Sequence, residues 1–485
     1  MSGKVKTTAM LVQILATMSI AYLTGLTGSV YAWPSYTYET FTTNKTVLTE
    51  PMTPTQISLL GSLTNIGALM GTPLSALVVD RIGRRYSAML FGLPFVIAWS
   101  IISLTKSINV VLFAIWFAGL GSGGQAVSSI YISEISQDSI RGALTSSTLS
   151  GFFVGLLMSY FLGGQLTYYQ VVYALLGLSI LYILLLVLLK ESPVYLVQQG
   201  KEKEAAKSIA FYRRVDAKSK EVEIEIRKIK MQLDPRINQI LQGDGDPSAA
   251  MDLLEKPAMV KDKNQSPWKF LMKSESSKRA LFSVLFIMGI TILMGPIVLQ
   301  VYAEPLFKEA VPTMHPNLCS ILLAIDYLIA ALICASVIDR FGRKLLMTVT
   351  SIASAFFNII LGSQLHLHWA PHWFTAFIIY AYSFVYNLGA AVVPFVLMAE
   401  VFLPEVRGLG NSLTMVCMWV MNFVTLMIFN PLVDKIGLGP TFYFFSIVCL
   451  IGAMYSQFCL PETKGLSADA IQVLFLKKRP ASVKA

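Results

Sequence analysis

Apolar residues in this chain come in long runs rather than in the spaced stripes of amphipathic helices. A helix rises about 1.5 Å per residue and the hydrocarbon core of a bilayer is ~30 Å thick, so about 20 apolar residues cross it. On that basis the pattern predicts twelve crossings, near 8–32, 55–79, 87–105, 108–132, 144–164, 168–189, 280–303, 317–338, 345–365, 373–398, 409–431 and 438–459. The fold class expected is an all-α membrane protein with twelve transmembrane helices. The first run is too long and too polar-flanked for a cleaved signal peptide, and no small-residue cleavage site stands out.

One large polar segment, 190–279, interrupts the pattern between the sixth and seventh crossings. Opposite charges recur at helical spacing over Lys201–Arg214 and Lys220–Gln232, while Gly243–Pro247 breaks that spacing as a turn. The segment is expected to be a solvated helical linker, too charged to bury a core. The organisation is therefore a six-helix half over 1–189, a linker over 190–279, a second six-helix half over 280–459, and a tail over 460–485.

Composition agrees. Of 485 residues 55% are hydrophobic and only 14% charged, against about 25% charged in soluble domains. The net charge of +10 would suit a nucleic-acid surface, but its distribution argues otherwise. With the N-terminus inside, the outside loops hold only Lys45, Lys106, Lys308 and Lys435, and the other 34 of 38 Lys and Arg lie inside. That asymmetry places both termini in the cytoplasm and makes the bilayer, not nucleic acid, the partner. The five cysteines (319, 334, 417, 449, 459) sit within or at the edge of apolar runs, giving neither a disulfide framework nor a zinc spacing. The four histidines (315, 366, 368, 372) fall in outside loops, so no metal or other cofactor is expected.

The chain repeats itself. Asp80-Arg81-Ile-Gly-Arg84-Arg85 follows the second crossing, and Asp339-Arg340-Phe-Gly-Arg343-Lys344 follows the eighth, 259 residues on. Glu134 with Arg141-Gly142 follows the fourth crossing, and Glu400 with Arg407-Gly408 follows the tenth, 266 residues on. Two motifs recurring in order at matching places make the halves related. In each short inside loop the glycine lets the chain reverse, the arginines stay at headgroup level, and the aspartate can cap or pair.

The duplicated Asp-Arg-x-Gly-Arg motif resembles the signature of the major facilitator superfamily. The finer match is to its sugar porter family, which includes the facilitative glucose transporters. It rests on Tyr131–Leu144, Glu191-Ser-Pro-Val-Tyr-Leu196 with Gly200–Ala205, Ala399–Gly408 and Pro461-Glu-Thr-Lys-Gly465. Ala32–Ser35, Asn65–Gly71 and Phe307–Ala310 are similar to insect trehalose and sugar transporters. The resemblance implies the major facilitator fold, two six-helix halves that rock about a midplane site. It also implies a cytoplasmic gate in which Asp80, Arg81, Arg84, Glu134 and Arg141 pair across the halves with Asp339, Arg340, Arg343, Glu400 and Arg407, and separate as the inside opens.

Side-chain amides suit sugar hydroxyls because they donate and accept at once. Projected by motif position, several of the family's amides are missing. The fifth-helix glutamine falls on Leu149, and the seventh-helix pattern on Thr291–Ile297 keeps only its glycine. The tenth-helix tryptophan falls on Phe395, and the fourth-helix arginine is absent near Ala114. The remaining candidates are Gln125, Thr291, Gln300, Tyr302, Tyr386, Asn387, Phe395, Trp419 and Asn422, which also suit bonds between helices. Asp326 stands mid-crossing, where a charge is costly, as a substrate hydrogen bond, a proton site or an interhelical contact. The first crossing carries no acid where proton-coupled sugar porters typically have an Asp, so the resemblance implies facilitated diffusion rather than proton symport. Asn44-Lys-Thr46 is a glycosylation sequon in the first outside loop.

The sequence thus predicts a non-enzymatic carrier for a small saccharide, multi-pass in the plasma membrane, working by alternating access. Two alternatives stay open: a proton-linked carrier of a non-sugar organic solute, and a receptor that senses a sugar without moving it.

Overall fold

In the computed structural model the described residues are 7–44, 46–233, 268, 271, 274–403, 406–466 and 468–476. Twelve of their helices are long and apolar enough to cross a membrane, so the chain is an integral, multi-pass membrane protein. The first six crossings are α1 (Thr7–Thr42), α2 (Pro54–Ile82), α3 (Arg84–Leu104), α4 with α5 (Ile108–Ser122, Gln125–Ile135), α6 (Asp138–Gln165) and α7 (Tyr168–Val187). Short helices α8 (Pro193–Gln198), α9 (Glu202–Arg213) and α10 (Lys220–Leu233) follow. The second set is α11 (Glu275–Leu293) extended by α12 (Pro296–Val301) and α13 (Ala303–Ala310), then α14 (Pro316–Phe341), α15 (Arg343–Leu367), α16 with α17 (His372–Leu388, Val393–Glu400), α18 (Arg407–Ile436) and α19 (Leu438–Cys459). A last helix, α20 (Ala468–Leu476), packs on α11.

Four crossings depart from uniform rods. The first runs ten residues beyond the expected 32, because Trp33 and Phe41 lock onto Trp99 and Tyr168 in an aromatic cluster that holds the last turns helical. The seventh breaks at Gly295, whose φ of 97° only glycine adopts readily, and Pro296 restarts the helix. The tenth breaks at Gly389–Val392 as the fourth breaks at Gly123-Gly124, so the breaks fall at matching places in the two sets.

The halves meet along two seams, α2 against α18 and α6 against α14. The charged pattern of the linker forms α9 and α10 with Arg213–Glu225 at 2.8 Å and Lys230–Glu202 at 2.7 Å. These helices nevertheless bury a small cluster of Ile209, Val222 and Ile229, which the charge pattern conceals. The Gly243–Pro247 turn lies outside the described residues.

Candidate functional site

At the end of the bundle that carries the linker, each half builds the same cluster. Gly83 (φ 93°) reverses the chain between α2 and α3, and Gly342 (φ 87°) does so between α14 and α15. The Glu191 carboxylate accepts the helix-start N–H groups of Arg84 (2.8 Å) and Arg85 (3.1 Å) at the start of α3. Glu462 does the same for Arg343 (3.0 Å) and Lys344 (3.1 Å) at the start of α15. A negative charge suits a helix N-terminus, where backbone donors have no partner in the helix. Arg84 then reaches inward to Glu134 (Nη2–Oε1 2.9 Å, Nε–Oε2 2.9 Å), and Arg343 to Glu400 (2.7 Å). Ser192 donates to Glu134, and Thr463 donates to Glu400 at 2.7 Å. Burial alone would raise the Glu462 carboxyl, but backbone N–H groups of Arg343, Lys464, Lys344 and Thr463 hold it below the usual carboxylate value.

These networks close within each half. They tie the turn after the second (or eighth) crossing, the end of the fourth (or tenth) and the segment after the sixth (or twelfth) into one body. Asp80 is an exposed partner of Arg84 at 3.5 Å. Arg81 and Arg340 are exposed, with carbonyls that accept Tyr195 Oη and Lys464 Nζ. Arg141 donates to the Ser136 carbonyl at 3.4 Å, and Arg407 is exposed at the start of α18. The Asp339 side chain lies outside the described residues. A Cβ added at Gly142 or Gly408 would meet nothing within 4 Å among the described residues.

The opposite end is shut. The Glu304 N–H donates to Ser35 Oγ at 2.8 Å, Asn430 Nδ2 to Ser58 Oγ at 2.9 Å, and Asn317 Nδ2 to the Tyr160 carbonyl at 2.9 Å. Tyr160 donates in turn to the Gln300 carbonyl, and Lys308 pairs with Glu39 at 2.8 Å. Each of these bonds joins one half to the other. Sequence reasoning missed this closure, whose small hydroxyls and amides carry no motif. Glu191 and Glu462 were quoted within motifs, and their matching places after the sixth and twelfth crossings were the signal of a shared role.

The midplane candidates divide. Thr291 Oγ1 is spent on the carbonyls of Ile287 and Met288, and Asn387 Nδ2 on that of Ser383. Tyr386 Oη donates to the Thr291 carbonyl at 3.0 Å. Tyr302 is buried in the closure, stacked on Phe429 with centroids 5.7 Å apart. Gln300 is half-buried in α12, also at the closure. Gln125 and Phe395 are half-buried at the starts of α5 and α17, just past the matching helix breaks. Trp419 and Asn422 lie one turn apart on α18, and Trp419 Nε1 donates across the halves to Thr72 Oγ1 at 2.9 Å. Asp326 is half-buried beside Ser383 of α16, and its Oδ2 is enclosed with no hydrogen-bond partner among the described residues. Its neighbour Tyr327 stacks on Phe153 of the other half, centroids 5.2 Å apart. A recess of about 500 Å³ lined by Glu39, Thr40, Thr43 and Asn44 lies at the shut end and opens to solvent, so it is not a midplane site. Asn44 is exposed in the turn after α1.

The family model described as "Sugar (and other) transporter" matches residues 9–475. A "Facilitated trehalose transporter Tret1-2 homolog" of Drosophila simulans is 24% identical over 481 residues, 97% of this chain and 92% of that protein. The "Facilitated trehalose transporter Tret1" of Aedes aegypti is 25% identical over 95% of this chain, which spans only 54% of that protein. The chain spans about half the length of several other such relatives. Among solved structures, the inward-open conformation of the xylose transporter XylE from E. coli superposes with a TM-score of 0.74 at 17% identity, covering 96% of this chain and 99% of that one. Its partially occluded inward-open conformation gives 0.71 at 19% identity, covering 94% and 99%.

Proposed function

The chain belongs to the sugar (and other) transporter family, and we propose that it carries a small saccharide down its gradient by alternating access. It is a membrane carrier, not an enzyme. The reading takes the plasma membrane as its site, with both termini and the linker in the cytoplasm, as the basic excess of the linker-side loops supports. The observation that carries it is the pair of self-contained charge clusters at one end, facing an end that five cross-half bonds hold shut. Two rigid bodies with one end open and the other closed are what a rocking carrier needs.

The cargo class is inferred from relatives that are named transporters of trehalose and from neighbours named for xylose. Gln125, Asp326, Phe395, Trp419 and Asn422 are the proposed ligand contacts, amide and carboxylate for hydroxyls and rings for the apolar face of a sugar. Uniport is supported by the lack of any acid in the first crossing before Glu39. In the opposite conformation the exposed Asp80, Arg81, Arg340 and Arg407, with Arg141 and Asp339, are proposed to pair across the halves. Asn44 is proposed to carry a glycan.

Uptake of labelled glucose and trehalose into oocytes expressing the full chain tests this. Saturable uptake that equilibrates without accumulation is expected. No uptake of either sugar by protein shown to reach the surface would overturn the cargo; accumulation against a gradient would overturn uniport.

A further inference from the structure

We propose that Glu304 is a positioning residue of the transport cycle: closing the outer end carries its carboxyl from water into the seam between the halves, so that closure takes up a proton from the outer side. The inference rests on the carrier reading for the identity of the two states, but not for the cargo.

Glu304 opens α13, just beyond the seventh crossing, and its own N–H is seated on Ser35 Oγ of the other half at 2.8 Å. That bond fixes the backbone at the point where α13 meets α1. The side chain is half-buried there, and its Oε2 is enclosed without a hydrogen-bond partner among the described residues. Asn317 of α14 lies beside it, yet Asn317 Nδ2 donates to the Tyr160 carbonyl of α6. The charged and titratable groups that face it are Tyr36 and Glu39 from α1, Tyr160 from α6, and Lys308 from its own helix. From α16, Tyr380 packs on Phe307 of α13 and bonds the Cys319 carbonyl. Lys308 is itself held by Glu39 at 2.8 Å, so its charge is shared.

An enclosed carboxylate oxygen without a donor is costly, and protonation removes that cost. Burial pushes the Glu304 carboxyl from its ordinary 4.5 up to about 7, with Asn317 acting against the rise, Glu39 adding to it and Lys308 offsetting it. The sign follows. A carboxyl whose value is raised in the closed state favours that state fully below its open-state value, and the preference is lost as pH rises through about 7. Because the group stands at the outer end, the proton enters from and returns to the outer side. It therefore tunes the opening equilibrium and does not travel with the cargo.

The test is a distance measurement across the outer end, independent of any sugar. Thr43→Cys and Thr313→Cys are spin-labelled in full-length protein in lipid nanodiscs, with Cys417 and Cys459 replaced by serine. The distance distribution is read at pH 5.5 and 7.5. The short, closed population is expected to gain on the open one by roughly tenfold at the lower pH. Glu304→Gln is expected to hold the short distance at both pH values, and Glu304→Asp to restore the response. An identical distribution at both pH values in the unsubstituted protein overturns the proposal, as does a full response in Glu304→Gln. If glucose and trehalose are not carried but the distance response is present, the cargo fails and this inference stands.

Discussion

Arg84 and Glu134 lie on different crossings of one half and are joined twice, Nη2 to Oε1 and Nε to Oε2, both at 2.9 Å. Their side chains are only 6% and 14% exposed. Arg343 and Glu400 repeat the relationship in the other half. Removing one partner of so enclosed a pair leaves a buried charge, which costs about 3–5 kcal/mol. Glu134→Ala is therefore expected to lower the thermal midpoint of the detergent-solubilised protein more than Glu134→Gln, which keeps an acceptor for Ser192. Equal midpoints for both variants and the original chain would show that the pair does not brace the half.

The turn at Gly342 gives a second, sharper contrast. A side chain at φ 87° and ψ 163° is strained by about 1–3 kcal/mol, and a Cβ there would sit 2.7 Å from Glu462 Oε2. Gly342→Ala should lower the thermal midpoint. Gly408→Ala, in the first turn of α18 with open space around it, should leave it unchanged or raise stability by up to ~1 kcal/mol. A midpoint that falls equally in both would refute the turn argument.

How much of this was legible beforehand depends on what each interaction needs. The twelve crossings were, because a bilayer demands length and apolarity, and both are local properties of the sequence. The duplicated clusters were half legible: Arg84, Glu134, Arg343 and Glu400 stood out by repetition, but pairing across the halves was expected where this conformation shows pairing within each. That difference has a physical reason, since a motif records residues and not which of two conformations brings them together. The closure around Ser35, Tyr160 and Asn317 was invisible, because a hydroxyl or amide that bonds a carbonyl can stand anywhere along a helix. The discontinuity at Gly295-Pro296 was written in the chain and went unread beneath an uninterrupted apolar run.

Glu462 offers a pH signature at the end that carries the linker. Its carboxyl is held below the ordinary value by four backbone donors, so its stabilising effect is present above the ordinary carboxylate value and is lost as pH falls through the lowered one. Glu462→Gln should accordingly be less stable than the original chain at pH 7, with the gap closing only as pH falls below the ordinary carboxylate value of 4.5 (thermal midpoints across the range read this). A gap that stays constant with pH would mean that shape, not charge, holds the turn.

Arg407 is exposed at the start of α18, so its removal should cost this conformation little. If it pairs across the halves in the outward-facing state, Arg407→Ala weakens that state alone and shifts the population inward. The expected readout is reduced labelling of a cysteine placed in the outer half of the cavity, with the thermal midpoint unchanged. Unaltered labelling in Arg407→Ala would remove it from the gate.

Trp419 has two possible duties that a pair of substitutions separates. Its Nε1 donates to Thr72 Oγ1 across the halves at 2.9 Å, and it lies one helical turn from Asn422, a proposed ligand contact. Thr72→Val keeps the shape but strands a buried N–H, which costs about 1–3 kcal/mol in whichever state makes the bond. That variant should shift the inward–outward balance and leave the apparent affinity for the cargo within a few-fold. Trp419→Phe removes the donor and shrinks the ring, so a stacking role predicts a KM raised by about tenfold, from ~1–2 kcal/mol of lost ring contact. In the double variant the stranded N–H is gone, so the conformational balance should return towards the original while the raised KM remains. A KM unchanged in Trp419→Phe would assign the tryptophan to the seam alone and leave Phe395 as the aromatic candidate for the sugar face.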